Sequence, residues 1–332
     1  MLLVNHVMSN NVASGIFSDI ISYYRSFAPP GIEHVASASA TLGGMIRHYH
    51  RPNLESRLSG PCVVTVHHDL RDDDPSLTVQ HFTDRYREAN RVICLNTLQR
   101  DYLAAEGITN TVVIPHGYHA RYIRARGDAT DIAYRENTGS GKNGRVVIGV
   151  FSRRYPRKVK GEGYIYELAQ RLDPARFEFV LIGKGRTYDA AVLERFGFDV
   201  TAYETLPYKT VASAYRTVDA LLMSSWFEGG PANIPEAVGG AVPVLCNPIG
   251  MAKDMVVDRE NGLHLSMDAG SDAEQISAWL LDPASRADLR EGAKRNAGNA
   301  ITWAIHASRV VDVYREVLNE TLGNILTWQN AS

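Results

Sequence analysis

The sequence predicts an α/β protein made of two doubly wound, Rossmann-like domains in succession. Three observations carry this. Short apolar runs alternate with segments of helical periodicity along most of the chain, the pattern of a parallel sheet with crossover helices. A length of 332 residues suits two domains at roughly 100–200 residues each. Between about 120 and 144 the alternation fails, and a polar stretch rich in Gly, Asn, Arg and Asp offers few core candidates, as a linker does.

In the first domain (1–120) the run LLVNHV at 2–7 reads as a strand. Ile16, Ile20, Ile21, Tyr24 and Phe27 follow at helical spacing until Pro29-Pro30-Gly31 stops the helix. A strand near 33–38, a helix near 42–58, the strand CVVTV (62–66) and a helix near 76–89 come next. RVICL (91–95), a helix near 97–106 and TVVIP (111–115) complete the unit. The linker (121–144) contains GSGK at 139–142, which lacks the glycine spacing, the Ser or Thr and the leading strand of a P-loop. The second domain (145–300) repeats the alternation with RVVIGVF (145–151), FEFVLIG (177–183), DVTAYE (199–204), DALLMSS (219–225) and VPVLCN (242–247). Trp303, Ala307, Val310, Val311, Tyr314, Val317, Leu318, Leu322 and Ile325 then recur at steps of three and four, so a long amphipathic helix at 301–332 is expected to pack back toward the first domain.

Composition excludes several classes. Lys and Arg number 35 against 37 Asp and Glu, a net −2, without the basic excess of a nucleic-acid binder. An apolar fraction of 45% with 22% charged residues argues against disorder. No apolar run approaches the ~18–20 residues that cross a bilayer, and MLLVNHVMSNN has no basic leader region. A cytoplasmic protein is expected; membrane association is not, although the aromatics of 16–27 leave it open. Cys62, Cys94 and Cys246 lie far apart in apolar runs and read as buried reduced thiols. Asp72-Asp73-Asp74 reads as a hydrated turn, and no metal site is expected.

The segment 224–250, SSWFEGGPANIPEAVGGAVPVLCNPIG, is the most informative. A strand ends near Glu228, and Gly229-Gly230-Pro231 opens a helix through Ala232 and Asn233, with Glu236 on its third turn. Glycines let backbone approach a ligand, and the unpaired N–H groups of a helix start suit a phosphate. Two glutamates eight residues apart can bracket such a ligand. A second constellation, FSRRYPRKVKGEGY (151–164), packs Arg153, Arg154, Arg157, Lys158 and Lys160 into eight positions, a local anion trap in a nearly neutral chain. Arg157 and Lys158 read as solvated. In VVTVHHDL (63–70), His67 and His68 leave the C-terminal end of a strand, where parallel sheets bind ligands.

EGGPANIPEA resembles the Glu–seven–Glu motif of retaining GT-B glycosyltransferases of family 4, the glycosyl transferases group 1. GAVPV, Gly250 and ENGLHL (260–265) match that family's continuation. The resemblance implies a GT-B fold, two Rossmann-like domains facing a central cleft, and an enzyme of the hexosyltransferase class. It would move a sugar from a nucleotide-diphosphate sugar to an acceptor hydroxyl with retention, without metal or other cofactor. It further implies that Arg153 and Lys160 hold the donor diphosphate, with Arg154 the alternative to Arg153. Gly229, Gly230, Pro231, Ala232 and Asn233 lend backbone to it, Glu236 takes the ribose, Glu228 the sugar hydroxyls, and His67 (or His68) reaches the sugar from the first domain. Gly183 in GKG and Gly15 after the first strand match the family's glycine loops. Ile114-Pro115-His116-Gly117 resembles its I-P-N-G with His in place of Asn, and Thr302-Trp303 with Tyr314 its last helix. The acceptor, whether glycan, lipid-linked or small molecule, is left open. So are a nucleotide-sugar epimerase or hydrolase on the same fold and a non-catalytic nucleotide-sugar-binding protein.

Overall fold

The computed structural model describes residues 1–8, 15–40, 45–75, 77, 79–123 and 144–331; the expected linker falls almost wholly outside them. The chain divides into two compact units, Met1–Gly117 with Thr302–Ser332, and Tyr118–Ile301. Each is an α/β unit around a six-stranded parallel sheet.

The sheet of unit 1 has the order β2-β1-β3-β4-β5-β6, with β1 at Leu2–Val7, β2 at Ile32–Ser37, β3 at Ile46–Tyr49, β4 at Cys62–Thr65, β5 at Arg91–Cys94 and β6 at Thr111–Val113. On one face Val4, Ile46, Val63 and Ile93 pack against Phe17, Ile20 and Tyr24 of the helix Gly15–Phe27, and against Val310, Val311, Tyr314 and Val317 of the helix Trp303–Ala331. On the other, Tyr49, Val64 and Cys94 meet Phe82, Tyr86 and Leu103. Strands buried on both faces read as continuous apolar runs, which is why most were visible in sequence.

Two elements differ. The helix expected near 42–58 is β3 followed by a short 3-10 turn at Pro52–Leu54. Its backbone pairs with both neighbours, His48 opposite His6 of β1 and Val63 of β4. Its histidines count as polar in a periodicity, yet His48 and His50 are buried. The helix expected near 76–89 is likewise reduced to a 3-10 turn at Val79–His81 and a helix at Thr83–Glu88.

Unit 2 has the order β12-β11-β10-β7-β8-β9, with β7 at Val146–Phe151, β8 at Phe177–Ile182, β9 at Asp199–Tyr203, β10 at Ala220–Met223, β11 at Val244–Cys246 and β12 at Gly262–His264. Both VVIGVF and FEFVLI are buried along their whole length. The first strand of the unit, β7, lies between β8 and β10, so strand order reverses there. In doubly wound sheets, that switch point leaves a ligand crevice beyond the strands' C-terminal ends.

All three cysteines are free and buried, and burial lifts the thiols of Cys62 and Cys94 to about 11 and about 12. Among the described residues no helix is long and apolar enough to cross a membrane.

Candidate functional site

The loops leaving β7 and β10 are bound to each other at the switch point of unit 2. Trp226 N–H donates to the Val159 carbonyl (2.8 Å) and Ser224 Oγ–H to the Lys160 carbonyl (2.9 Å). Gly161 turns with φ +72°, and a Cβ there would stand 2.0 Å from the Ser224 carbonyl oxygen; only glycine fits. This contact carries Lys160 to Glu228, and the two form an ion pair, with Ser225 Oγ–H also donating to Glu228 (2.8 Å). Arg153 is exposed, its guanidinium 4.2 Å from the centre of the Tyr155 ring. Lys160 Nζ lies 5.7 Å from the same ring. Two cations seven positions apart thus converge on one aromatic, beyond the end of β7.

Arg154 turns the other way. Its Nε donates to Asp189 (3.0 Å) and its guanidinium covers Tyr188. Asp189 also takes Arg186, a fully buried arginine that donates to the Ser152 carbonyl (2.7 Å) and Ser152 Oγ (2.9 Å). That network holds the start of the cationic loop in place, so of the two arginines Arg153 is the one turned to solvent.

Beside this loop a pocket of about 300 Å³ is lined by Ser152, Gly183, Glu204, Tyr215, Ala232, Asn233 and Glu236, among others. Gly183 (φ +148°) would place a Cβ 2.4 Å from the Ser152 carbonyl oxygen, so the two strand-end loops meet through bare backbone. Asn233 Nδ2–H donates to the Phe151 carbonyl at 3.2 Å. The helix spans Asn233–Gly239, starting past Pro231, so Glu236 stands in its first turn, not the third. Both oxygens of Glu236 accept tyrosine hydroxyls, Tyr208 at 2.8 Å and Tyr215 at 2.6 Å. Burial raises its pKa, and the two hydroxyls oppose that rise. Glu204 accepts the Gly185 and Thr187 N–H groups at the start of the helix Arg186–Arg195 and is held down to about 2 by them.

In unit 1, His67 follows β4 and is half-buried. Its Nε2 lies 2.9 Å from His50 Nδ1. Burial and then the neighbouring imidazoles hold it well below the usual histidine range, so it is neutral at pH 7. His68 packs on the Phe82 ring instead, 4.3 Å between centroids. His116 is buried beside Trp303 and 5.8 Å from the His67 ring. Gly15 is the first residue of the helix Gly15–Phe27. Asp69 pairs with Arg71, and Asp72 accepts the Asp74 N–H; the acidic turn is internally bonded.

Sequence reasoning missed Tyr155, Tyr208, Tyr215, Arg186 and the histidines feeding His67. Only the last left a signal: His6, His34, His48 and His50 all sit in or beside strands, two of them at alternating positions.

Two parallel doubly wound units, with cations and glutamates gathered at the switch point of the second, define the GT-B class of glycosyltransferase folds. Solved structures agree. Sucrose-phosphate synthase from Thermosynechococcus elongatus superposes with a TM-score of 0.76 at 14% identity, covering 96% of this chain and 100% of that one. Anabaena HepE, in complex with UDP and glucose, gives 0.71 at 17%, covering 95% and 100%. A glycosyltransferase from Rickettsia africae gives 0.69 at 14%, covering 96% and 98%. Residues 134–296 match the family model of glycosyl transferases group 1. With that group 1 domain on this fold, the chain is a glycosyltransferase. No curated protein matches it in sequence.

Proposed function

We propose that this glycosyltransferase takes a nucleotide-diphosphate sugar as donor, passes the sugar to an acceptor hydroxyl with retention, and needs no divalent metal. The observation that carries the reading is the convergence of Arg153 and Lys160 on Tyr155, next to the Glu236 pocket. Departure of a nucleoside diphosphate builds charge on its outer phosphate, and fixed cations with backbone N–H groups stabilise it. A guanidinium grips two oxygens at once and an ammonium adds a point charge; Arg153 and Lys160 supply one of each. The backbone N–H groups of Gly229, Gly230, Ala232 and Asn233 complete the cradle. Glu236, already accepting two hydroxyls from tyrosine, takes the ribose hydroxyl pair. Glu228, held by Lys160 and Ser225, takes the sugar hydroxyls, and His67 reaches the sugar from unit 1, which also receives the acceptor. The neighbour HepE was solved with UDP and with UDP-glucose, which supports a nucleotide-sugar donor here.

A thermal-shift panel of nucleotides and nucleotide sugars tests this. A ligand at 100 times its Kd stabilises by about 2.7 kcal/mol, and Glu236→Ala is expected to abolish the shift. A chain indifferent to every nucleotide sugar overturns the proposal. Retention is read from the anomeric proton of the first product by NMR.

A further inference from the structure

Four histidines of unit 1 form a continuous chain of ring-to-ring contacts ending at His67. His34 Nδ1 lies 2.8 Å from His6 Nε2, His6 Nδ1 2.9 Å from His50 Nε2, and His50 Nδ1 2.9 Å from His67 Nε2. Ring centroids are 5.1, 5.2 and 5.1 Å apart, with interplanar angles of 32°, 18° and 32°. Adding roughly 1.2 Å from each ring centre to its nitrogen gives about 5.3 Å for a straight N–H···N bond. Each of the three contacts is therefore nearly linear along its N···N direction, between rings tilted by 18–32°.

A metal is the rival explanation, since nitrogens of His6, His48 and His50 lie within 4.8 Å of one another. A tetrahedral metal with ligands at ~2.0–2.1 Å keeps them about 3.3 Å apart, whereas the chain contacts are hydrogen-bond distances. Both nitrogens of His48 are also engaged, with Tyr314 Oη and Thr65 Oγ1 at 2.6 Å each. The links are protons.

All four rings are neutral, held down first by burial: His34 to about 4, His50 to about 3, His6 and His67 well below the usual range. A neutral imidazole has one N–H and one lone pair. Each link then fixes the next, so the whole chain has two arrangements, all Nδ1–H or all Nε2–H. The far end decides between them. His34 Nε2 is buried with no hydrogen-bond partner among the described residues. A buried lone pair left without a partner is tolerated more readily than a buried N–H, and the positive charge of Arg25, which binds the His34 carbonyl (2.9 Å), acts on the ring in the same direction. The other ionisable groups against the chain are Tyr24, Tyr314, His48 and His306, with His116, His68 and Arg51 near His67. Tyr24 is occupied elsewhere: His306 Nδ1–H donates to the Pro115 carbonyl (2.7 Å), so the Tyr24 hydroxyl donates to His306 Nε2 (3.0 Å).

We propose that His34, His6 and His50 are positioning residues that lock His67 in its Nδ1–H tautomer, so that it meets the donor sugar as a hydrogen-bond donor. The tautomer stands by itself; its use on the sugar rests on the function proposed above.

The test is 15N-histidine NMR of the free protein at pH 7.5, which needs no substrate. Wild type is expected to show His67 protonated at Nδ1 and bare at Nε2. His34→Leu removes the terminal donor, and the Nδ1–H share at His67 falls; in the transfer reaction kcat drops about tenfold with little change in KM. His34→Asn puts an amide N–H where Nδ1–H was and restores both. His67 carrying its proton on Nε2 in wild type overturns the proposal whether or not any variant folds. A folded His34→Leu with an unchanged His67 signal does the same, as does stoichiometric Zn²⁺ titration of His6, His48 and His50. If the tautomer is as expected but no donor binds, only the function is refuted.

Discussion

Lowering the pH from 7 to 5.5 is expected to destabilise unit 1 severely. Nine of the eleven histidines belong to it, all but His119 and His264. Burial depresses the pKa of three rings, His34 and His306 to about 4 and His50 to about 3. Unfolded, each titrates near ~6.5. The native pKa lies below the unfolded one, so the unfolded state binds more protons. Stability is therefore complete above about pH 7 and is lost as pH falls through 6.5 toward 4 and 3. At pH 5.5 an unfolded ring is protonated about ten to one, which favours unfolding by about 1.4 kcal/mol per ring against about 0.2 at pH 7. Three rings give about 3.5 kcal/mol, and His6, His48 and His67, also held well below the usual range, add to the loss in the same direction. A domain's whole stability is about 5–15 kcal/mol. Urea unfolding by circular dichroism, with peptide-resolved hydrogen exchange, reads the effect: β1, β3 and β4 should lose protection at pH 5.5 while β7 and β8 keep it. A urea midpoint for unit 1 that is unchanged between pH 7.5 and 5.5 would refute the reasoning.

The remaining predictions concern unit 2. Arg153→Ala and Lys160→Ala are each expected to lower single-turnover rates by roughly 10²–10³-fold; near-wild-type rates in both remove the phosphate role. Arg154→Ala should spare the rate constant and instead cost about 1–2 kcal/mol in urea unfolding, because the buried Asp189 loses one of its charged partners. Gly183→Ala forces a side chain into φ +148° against the Ser152 carbonyl; a loss of about 2 kcal/mol or more with weakened nucleotide binding is expected, and a silent substitution would contradict the loop geometry.

Unit 2 was legible in sequence for a physical reason. Four of its strands, β7, β8, β10 and β11, are buried along their whole length and spell continuous apolar runs, and the candidate site's loops follow those runs directly. Lys160 and Glu228 could be named individually, but their pairing could not, since it depends on Gly161 lying against Ser224. Nor could the sequence tell that Arg154 is drawn off by Asp189 and a buried Arg186. In unit 1, β3 was hidden because histidine counts as polar. A neutral imidazole with both nitrogens bonded packs like an aromatic, and the RHYH run could only be recognised as a strand once His6, Thr65 and Tyr314 stood around it. Helical spacing of the final segment identified its apolar face, not its partners in unit 1.

The division of the chain carries a consequence for its birth on the ribosome. Unit 2 is contiguous, whereas unit 1 is interrupted between Gly117 and Thr302. Tyr118 N–H bonds the Ile301 carbonyl (2.9 Å), so the outgoing and returning strands of the interruption lie side by side. The first 117 residues therefore emerge with the histidine-bearing sheet uncovered and await Val310, Val311, Tyr314 and Val317, which are translated only after the whole of unit 2. The middle of the protein can be finished before its beginning, and a nascent chain stalled short of residue 303 should display folded unit 2 beside a protease-sensitive unit 1.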